Sequence, residues 1–238
     1  MISSLAIVAF AALIHASFQL SVSVLTLLSS HAIGRKVGNT RLLRLTCSFL
    51  TGVAVMTIFI LSFVAYTIQQ IIGGVIPPLV WAISCGLLLG LGISVWAFYY
   101  RRETGTSLWL PRGMARFLSD RTKATRHSSE AFSLGMSSVI AELLFIIAPI
   151  FISALVLIKL DLLWQLAGVA LYGFISLLSI LIVWALIGSG HKLSRIQKWR
   201  EDNKRFMQFA AGSGLLILGF YVYVTEVMTS ATLTYGDF

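Results

Sequence analysis

The chain has 238 residues, of which 58% are hydrophobic and 11% are charged, and its mean hydropathy is +0.90. An average soluble domain carries roughly 25% charged residues, so this composition argues against a water-soluble protein. The formal net charge of +9 would indicate nucleic-acid binding in a soluble chain. Here the basic residues flank long apolar segments, and we expect no nucleic-acid partner.

Six apolar segments, called spans 1 to 6, exceed the about 20 residues that a helix needs to cross the hydrocarbon layer. In chain order they are Ile2–Ile33, Leu45–Ile72, Pro77–Tyr100, Ala131–Ile158, Leu162–Ile187 and Phe206–Met228. Each must satisfy its backbone hydrogen bonds without water, so we predict an all-α integral membrane protein with one transmembrane domain over 1–238. No basic segment precedes Ile2, so span 1 is predicted to be a helix and not a cleaved signal peptide.

All but one of the 18 Lys and Arg residues lie in three segments between the spans, Gly34–Arg44, Arg101–Glu130 and Ser189–Arg205; the exception is Lys159. Membrane insertion retains basic loops in the cytoplasm. The charge pattern therefore predicts a multi-pass protein of the cell (inner) membrane with both termini outside. Its basic loops are expected to contact anionic headgroups at the cytoplasmic face of the lipid bilayer.

The long basic segment also holds apolar side chains, and two structures are open for it. It is predicted either to lie as a short amphipathic helix on the inner headgroups or to form an irregular linker. The apolar residues concerned are Trp109, Leu110, Met114, Phe117 and Leu118.

Similarity between the two halves indicates an internal repeat. Ser17–Ser23 in span 1 parallels Ala131–Ser137 in span 4, and Gly86–Gly92 in span 3 parallels Gly214–Phe220 in span 6. Each half holds three spans, an odd number, so the halves must insert in opposite directions as an inverted repeat. The predicted parts are a first triplet over 1–100, a cytoplasmic basic loop over 101–130 and a second triplet over 131–238.

This pattern resembles the lysine-exporter (LysE) superfamily and its relatives, the membrane domains of the DsbD/CcdA thiol–electron carriers and the NicO-type nickel/cobalt exporters. The shared features are six spans in two inverted triplets, the residues Phe132, Leu134 and Gly135 at the start of span 4, and the glycine-rich spans 3 and 6. The resemblance implies this fold and a broad class of membrane carriers, but it implies no substrate.

The chain departs from each branch of that superfamily. The electron carriers place a reactive cysteine in the first helix of each triplet, whereas Cys47 and Cys85 lie in spans 2 and 3. The metal exporters carry several His and Asp residues in the first helix, whereas no His or Asp follows His31 at three or four residues. The Pro-Gly-Pro element of the amino-acid exporters is absent from span 1.

A polar stripe runs along span 1, at spacings that put its members on one helical face. Its members are His15, Gln19, Ser23, Thr26 and Ser30. A lipid-facing stripe of this kind is costly, so we expect it to face the bundle interior or a water-filled cavity. His31 follows the stripe near the inner mouth, where it is either a site residue or an interfacial one.

Span 4 carries a second polar face made of Ser138, Glu142 and Ser153, with Pro149 between the last two. Because proline removes a backbone hydrogen bond, Pro149 is predicted to kink or break span 4 and to act as a hinge. Transport sites in inverted repeats are built from interrupted helices near the midplane. Spans 1 and 4, which hold equivalent places in the two triplets, are therefore predicted to form such a site.

Glu142 is the acidic residue that lies well inside a span. An ionised carboxylate there is costly unless it is paired, so one hypothesis makes Glu142 a proton or cation acceptor, with His15 or Gln19 as its partner. The other hypothesis makes Glu142 and His15 structural groups that tie helices together through hydrogen bonds.

The sequence therefore favours a secondary transporter that exports a small molecule or ion, with proton coupling through Glu142. Two alternatives stay open: a relative of the thiol–electron carriers without the usual cysteines, and an accessory subunit of a membrane complex. No catalytic constellation is visible, so we expect no enzyme activity and no cofactor or bound metal. The sequence leaves a homodimer open.

Overall fold

The computed structural model describes residues 2–18, 20–34, 38–73, 76–98, 112–189 and 193–228, and every regular element in those ranges is a helix. The α-helices are α1 (Ile2–Ser17), α2 (Leu20–Gly34), α3 (Asn39–Ile72), α4 (Pro78–Phe98), α5 (Arg112–Ala124), α6 (Ser128–Leu157), α7 (Leu162–Ser176), α8 (Leu178–Gly188), α9 (Leu193–Asp202) and α10 (Lys204–Val222). A π-helical turn, Tyr223–Met228, continues α10.

Four of the described helices are long and apolar enough to cross a membrane, namely α3, α4, α6 and α10 with its π-helical turn. The count rises to six if α1 with α2, and α7 with α8, each form one bent span. Large apolar side chains also point outward from these helices, as Phe59 and Phe63 on α3 do, with 59% and 58% of their surface exposed. Such a surface is unfavourable in water and suits contact with lipid.

The helix breaks lie in spans 1 and 5. The helices α1 and α2 are bent by 43° relative to each other, and α7 and α8 by 48°. Span 4 is not broken: α6 runs without interruption through Pro149, which excludes the break, so the kink at Pro149 stays a prediction. A proline removes a single backbone N–H, and neighbouring helices can hold the rest of a buried helix in place. Whether Pro149 acts as a hinge stays a prediction.

The helix α6 forms the centre of the bundle. Of its most apolar stretch, 67% is buried, compared with 28% for α3 and 33% for α4. It packs most extensively against α3, and it also contacts α1, α2 and α4. The other large contacts join α4 to α10 and α1 to α7. Ser138, Glu142 and Ser153 of α6 are thereby placed in the interior.

Glycines allow the closest of these crossings. A Cβ atom at Gly52 of α3 would overlap the carbonyl oxygen of Phe132 on α6, and one at Gly135 of α6 would overlap the carbonyl oxygen of Phe49 on α3. The backbones of α3 and α6 therefore meet directly, which is how small residues let helices approach in membranes. Glycines at the crossing of α4 with α10 do the same: Gly92 lies against Gly212.

The helix α5 confirms the helical alternative for residues 112–124 of the long basic segment. Leu118 is buried, and α5 packs on α2 and α6, so part of its apolar side faces protein. Next to it, Glu130 caps the start of α6 by accepting the backbone N–H groups of Arg126 (2.6 Å) and His127 (3.0 Å). Trp109 and Leu110 lie outside the described residues.

Alanine at Gly52 or Gly135 is expected to destabilise the fold by about 1–3 kcal/mol, the usual cost of overpacking, because a backbone carbonyl cannot rotate away from the new methyl group. Unfolding of the detergent-solubilised variants would measure the change. Gly86→Ala in α4 is the matched control, since none of the described residues lies within 4 Å of where its Cβ would stand. Equal stability of all three variants would contradict the direct contact of the two backbones.

Candidate functional site at two helix breaks

The break in span 1 is held by local hydrogen bonds to the freed backbone groups of α1. The hydroxyl of Ser17 donates to the carbonyl oxygen of Ile14 at 2.6 Å, and the backbone N–H of Phe18 donates to the carbonyl oxygen of His15 at 3.1 Å. The last carbonyls of any helix have no partner inside it. In an apolar bundle these carbonyls need hydrogen-bond partners from outside the helix backbone, and the hydroxyl of Ser17 supplies one of them.

Glu142 of α6 satisfies the other side of the same break. Its Oε1 accepts the backbone N–H of Leu20, the first residue of α2, at 3.1 Å, and its Oε2 accepts the hydroxyl of Ser21 at 2.9 Å. The N-terminus of a helix carries partial positive charge and favours an anion. Only 3% of Glu142 is exposed. The carboxyl group is thus compensated at the interrupted helix and is shielded from bulk water.

Ser138 joins this group from one turn earlier on α6. Its Oγ lies 3.2 Å from Oγ of Ser21 and donates to the carbonyl oxygen of Gly135 at 2.7 Å. The serines and the carboxylate therefore form one hydrogen-bonded cluster between α2 and α6.

The break in span 5 lies against the break in span 1, and two hydrogen bonds join them. Nδ1 of His15 lies 3.0 Å from the hydroxyl of Tyr172 on α7, and the hydroxyl of Ser179 on α8 donates to the carbonyl oxygen of Ala16. Both His15 and Tyr172 are buried. The two interrupted spans are therefore connected through polar groups that neither could satisfy alone.

A small cavity of about 20 Å³ lies where the two breaks meet Glu142. Its polar lining comes from His15, Ser21, Glu142, Ser176 and Ser179, together with Thr57 of α3. The hydroxyl oxygen of Thr57 is buried and makes no hydrogen bond with the described residues. A volume of this size holds about one water molecule.

Arg200 reaches this region from α9. Only 2% of the residue is exposed, and its Nη2 donates to the hydroxyl of Ser23 on α2 at 2.7 Å. The sequence groups Arg200 with the basic loops that were expected at the headgroups. The structure instead turns its guanidinium toward the interior of the bundle.

A larger cavity of about 540 Å³ lies beside the helix breaks, between α8, α9 and α10. Ser17 and Ser179 belong to its lining, and Arg195, Trp199 and Arg200 of α9 line it as well. Ser179 also lines the small cavity. The hydrogen bond from Ser179 to Ala16 therefore stands between the two cavities.

The predicted stripe of span 1 does not stay together as one face. His15 lies at the small cavity and Ser23 binds Arg200, while the hydroxyl of Thr26 donates to the carbonyl oxygen of Ser23 at 2.8 Å. Ser30 is exposed, and Nδ1 of His31 lies 2.8 Å from the carbonyl oxygen of Leu27. The stripe assumed a continuous helix, and the break ends that face after His15.

Of the other predicted residues, Glu142 and Ser138 lie at the break, and Ser153 donates to the carbonyl oxygen of Pro149 at 2.8 Å. The bonds of Glu142 go to Leu20 and Ser21 in place of the expected partner His15. Gln19, the second expected partner, lies outside the described residues.

Sequence reasoning missed Thr57, Tyr172, Ser179 and Arg200. One signal was available for Arg200: it follows Ile196 by four residues, and both lie on the buried side of α9, as expected for one face of an amphipathic helix. Serines close together inside span 5, Ser176 and Ser179, were a weaker signal for a break, since serine competes for backbone hydrogen bonds.

Comparisons with protein-family models, with curated proteins and with solved structures found no match to this chain. The function must therefore be inferred from the residues and their geometry. The resemblance to the lysine-exporter superfamily stays a prediction.

Tyr172→Phe is expected to destabilise the fold by about 1–3 kcal/mol, because it leaves the buried ring nitrogen of His15 without its partner. Tyr66→Phe on α3 is the control, since that tyrosine is 64% exposed. Denaturant unfolding of both variants in the same detergent would compare them. If the two lost stability equally, the bond between His15 and Tyr172 would not hold the two spans together.

Proposed function

We propose that the chain is a secondary transporter of a small molecule or ion that works by alternating access. The observation that carries the proposal is the meeting of two interrupted membrane helices at a buried carboxylate, Glu142. Discontinuous helices whose ends face one another near the middle of the bundle are the usual way in which transporters present charged backbone termini to a substrate or coupling ion.

The pattern of helix contacts supports an inverted repeat of three spans, with each bent pair counted as one span. In such a repeat, spans 1, 2 and 3 correspond to spans 4, 5 and 6. The contact of α3 (span 2) with α6 (span 4) then corresponds to the contact of α7 (span 5) with α1 (span 1). Likewise, the contact of α1 (span 1) with α10 (span 6) corresponds to that of α6 (span 4) with α4 (span 3). The contact of α4 with α10 joins spans 3 and 6 and corresponds to itself. A two-fold axis relating the triplets requires these equivalences.

Glu142 is the group through which we propose that proton or cation coupling occurs. A buried carboxylate can be neutral with a proton, or ionised with compensating donors. Here the donors are Leu20 and Ser21 at the N-terminus of α2. Because both donors sit on α2, a change of charge on Glu142 alters how strongly α2 is held to α6.

The thiol–electron carrier alternative receives less support from the site. Cys47 is exposed on α3 and Cys85 is buried on α4, and among the described residues no cysteine lines either of the two cavities at the breaks. No contact observed in the described residues favours an accessory subunit over a transporter.

The termini are proposed to lie outside and the basic segments inside. The guanidinium of Arg41 donates to the carbonyl oxygen of Arg126 near the start of α6, which brings two basic segments together. Lys159, which follows α6, pairs with Glu226 at 2.7 Å. A helix rises 1.5 Å per residue, so α6 puts about 45 Å between these two groups, enough for opposite faces of a bilayer.

Glu142→Gln is expected to abolish substrate-dependent proton movement while retaining the fold, because an amide keeps one acceptor for Leu20 or Ser21 but cannot release a proton. Proteoliposomes with a trapped pH-sensitive dye would report proton flux when candidate solutes are added across an imposed pH gradient. Glu226→Gln, which removes a carboxylate at the far end of the bundle, is the matched control.

The fold of Glu142→Gln would be checked by its unfolding temperature in detergent. A folded Glu142→Gln protein that moved protons as fast as the wild type would refute coupling through this residue. A wild-type protein that moved no solute under any tested gradient would count against a transporter altogether.

The proposed orientation predicts opposite labelling of two cysteines placed in a background of Cys47→Ser with Cys85→Ser. Lys159→Cys should react with a membrane-impermeant maleimide in intact cells, since it lies on the outer side. Lys198→Cys, in the third basic segment, should react only after the membrane is opened. The reverse pattern would show that the termini lie inside.

A further inference from the structure

We infer that the 540 Å³ cavity between α8, α9 and α10 binds an amphipathic anion, a molecule with one carboxylate or phosphate group and a compact apolar body. As the substrate class of a transporter, this inference rests on the proposed function. The volume falls within the roughly 300–1,000 Å³ of pockets that take small molecules. The cavity ends at Ser17 and Ser179, the residues of the two helix breaks.

One wall of the cavity is cationic. Arg195 and Arg200 both line it, and no acidic residue belongs to the described lining. They are five residues apart on α9, with the exposed Arg195 toward the mouth and the buried Arg200 toward the interior. Guanidinium groups bind carboxylate and phosphate oxygens through paired hydrogen bonds. Because Nη2 of Arg200 is already bonded to Ser23, Arg195 supplies the hydrogen bonds to an anion, and Arg200 adds positive charge.

The rest of the lining is apolar. Ile182, Val183 and Leu186 follow Ser179 along one face of α8, and Phe206 and Met207 line the cavity from the start of α10. Apolar side chains of this kind gain from covering an aliphatic or aromatic group. Trp199, which is 60% exposed at the rim, adds a flat surface where an aromatic or acyl group can lie beside the charged head.

The pairing of these walls decides the ligand class. A small hydrophilic anion would leave the α8 face uncovered, and a neutral apolar molecule would gain nothing from the two arginines. A molecule that satisfies both walls is an organic acid that enters from the water, or the headgroup and acyl chain of an anionic lipid that enters from the bilayer.

The test measures binding in nanodiscs of neutral phosphatidylcholine by titration calorimetry. 3-Phenylpropionate is the water-borne anion, and 3-phenylpropanol is its neutral counterpart. Phosphatidylglycerol, added at increasing fractions in separate nanodiscs and detected by native mass spectrometry, is the lipid arm. Wild-type protein should bind phenylpropionate at least roughly tenfold more tightly than phenylpropanol, the usual effect of a charge-assisted hydrogen bond.

Arg195→Gln should weaken anion binding by roughly tenfold or more, and its matched control Lys198→Gln should not, because Lys198 is exposed on the same helix and does not line the cavity. Ala210→Phe, which fills the cavity from α10, should block binding without removing charge. If the wild type bound phosphatidylglycerol but not phenylpropionate, and Arg195→Gln lost the lipid, the natural ligand would be an anionic lipid.

Equal binding of the acid and the alcohol, or anion binding unchanged in Arg195→Gln and Ala210→Phe, would overturn the inference. The assay uses no gradient, so it is independent of transport. Charge-selective binding without any solute movement would refute the transporter and leave the anion site in place. Solute movement without charge-selective binding would refute the anion site and leave the transporter in place.

Discussion

A helix interrupted inside an apolar bundle must find hydrogen-bond partners for its freed backbone groups, and this requirement organises the centre of the protein. Water cannot provide those bonds in the hydrocarbon region, where each unsatisfied group costs several kcal/mol. At the break of span 1 the partners are Glu142 on α6 and Ser179 on α8. Four helices are thus fixed relative to one another by backbone groups that a continuous helix would have satisfied internally.

The same requirement explains why charge lies so deep in a chain with few charged residues. The carboxylate of Glu142 meets the positive end of α2, and Ser23, one turn along α2, receives the guanidinium of Arg200. A buried charge is tolerated only where donors or an opposite charge compensate it. The helix α2 contacts both charged residues. The positions of Glu142 on α6 and Arg200 on α9 therefore depend on where α2 begins.

The sequence predicted the helical membrane class and the place of Glu142 well inside a span, because both follow from hydropathy and spacing. It offered a break only at Pro149, as the alternative to a kink, and none in span 1. Pro149, the obvious local breaker, lies in an uninterrupted helix, whereas span 1 breaks near Ser17 and Phe18, where neither Gly nor Pro stands. Local propensity could not reveal this, because a carboxylate 122 positions away in the sequence caps α2.

The direct contact of α3 with α6 through Gly52 and Gly135 has a mechanical consequence. Two helices whose backbones touch have no layer of flexible side chains between them to absorb sliding, so α3 and α6 should move as one rigid body. That body carries Thr57 and Glu142 on one wall of the small cavity. Any rearrangement at the site therefore falls to α1, α2, α7 and α8, whose breaks already provide the joints.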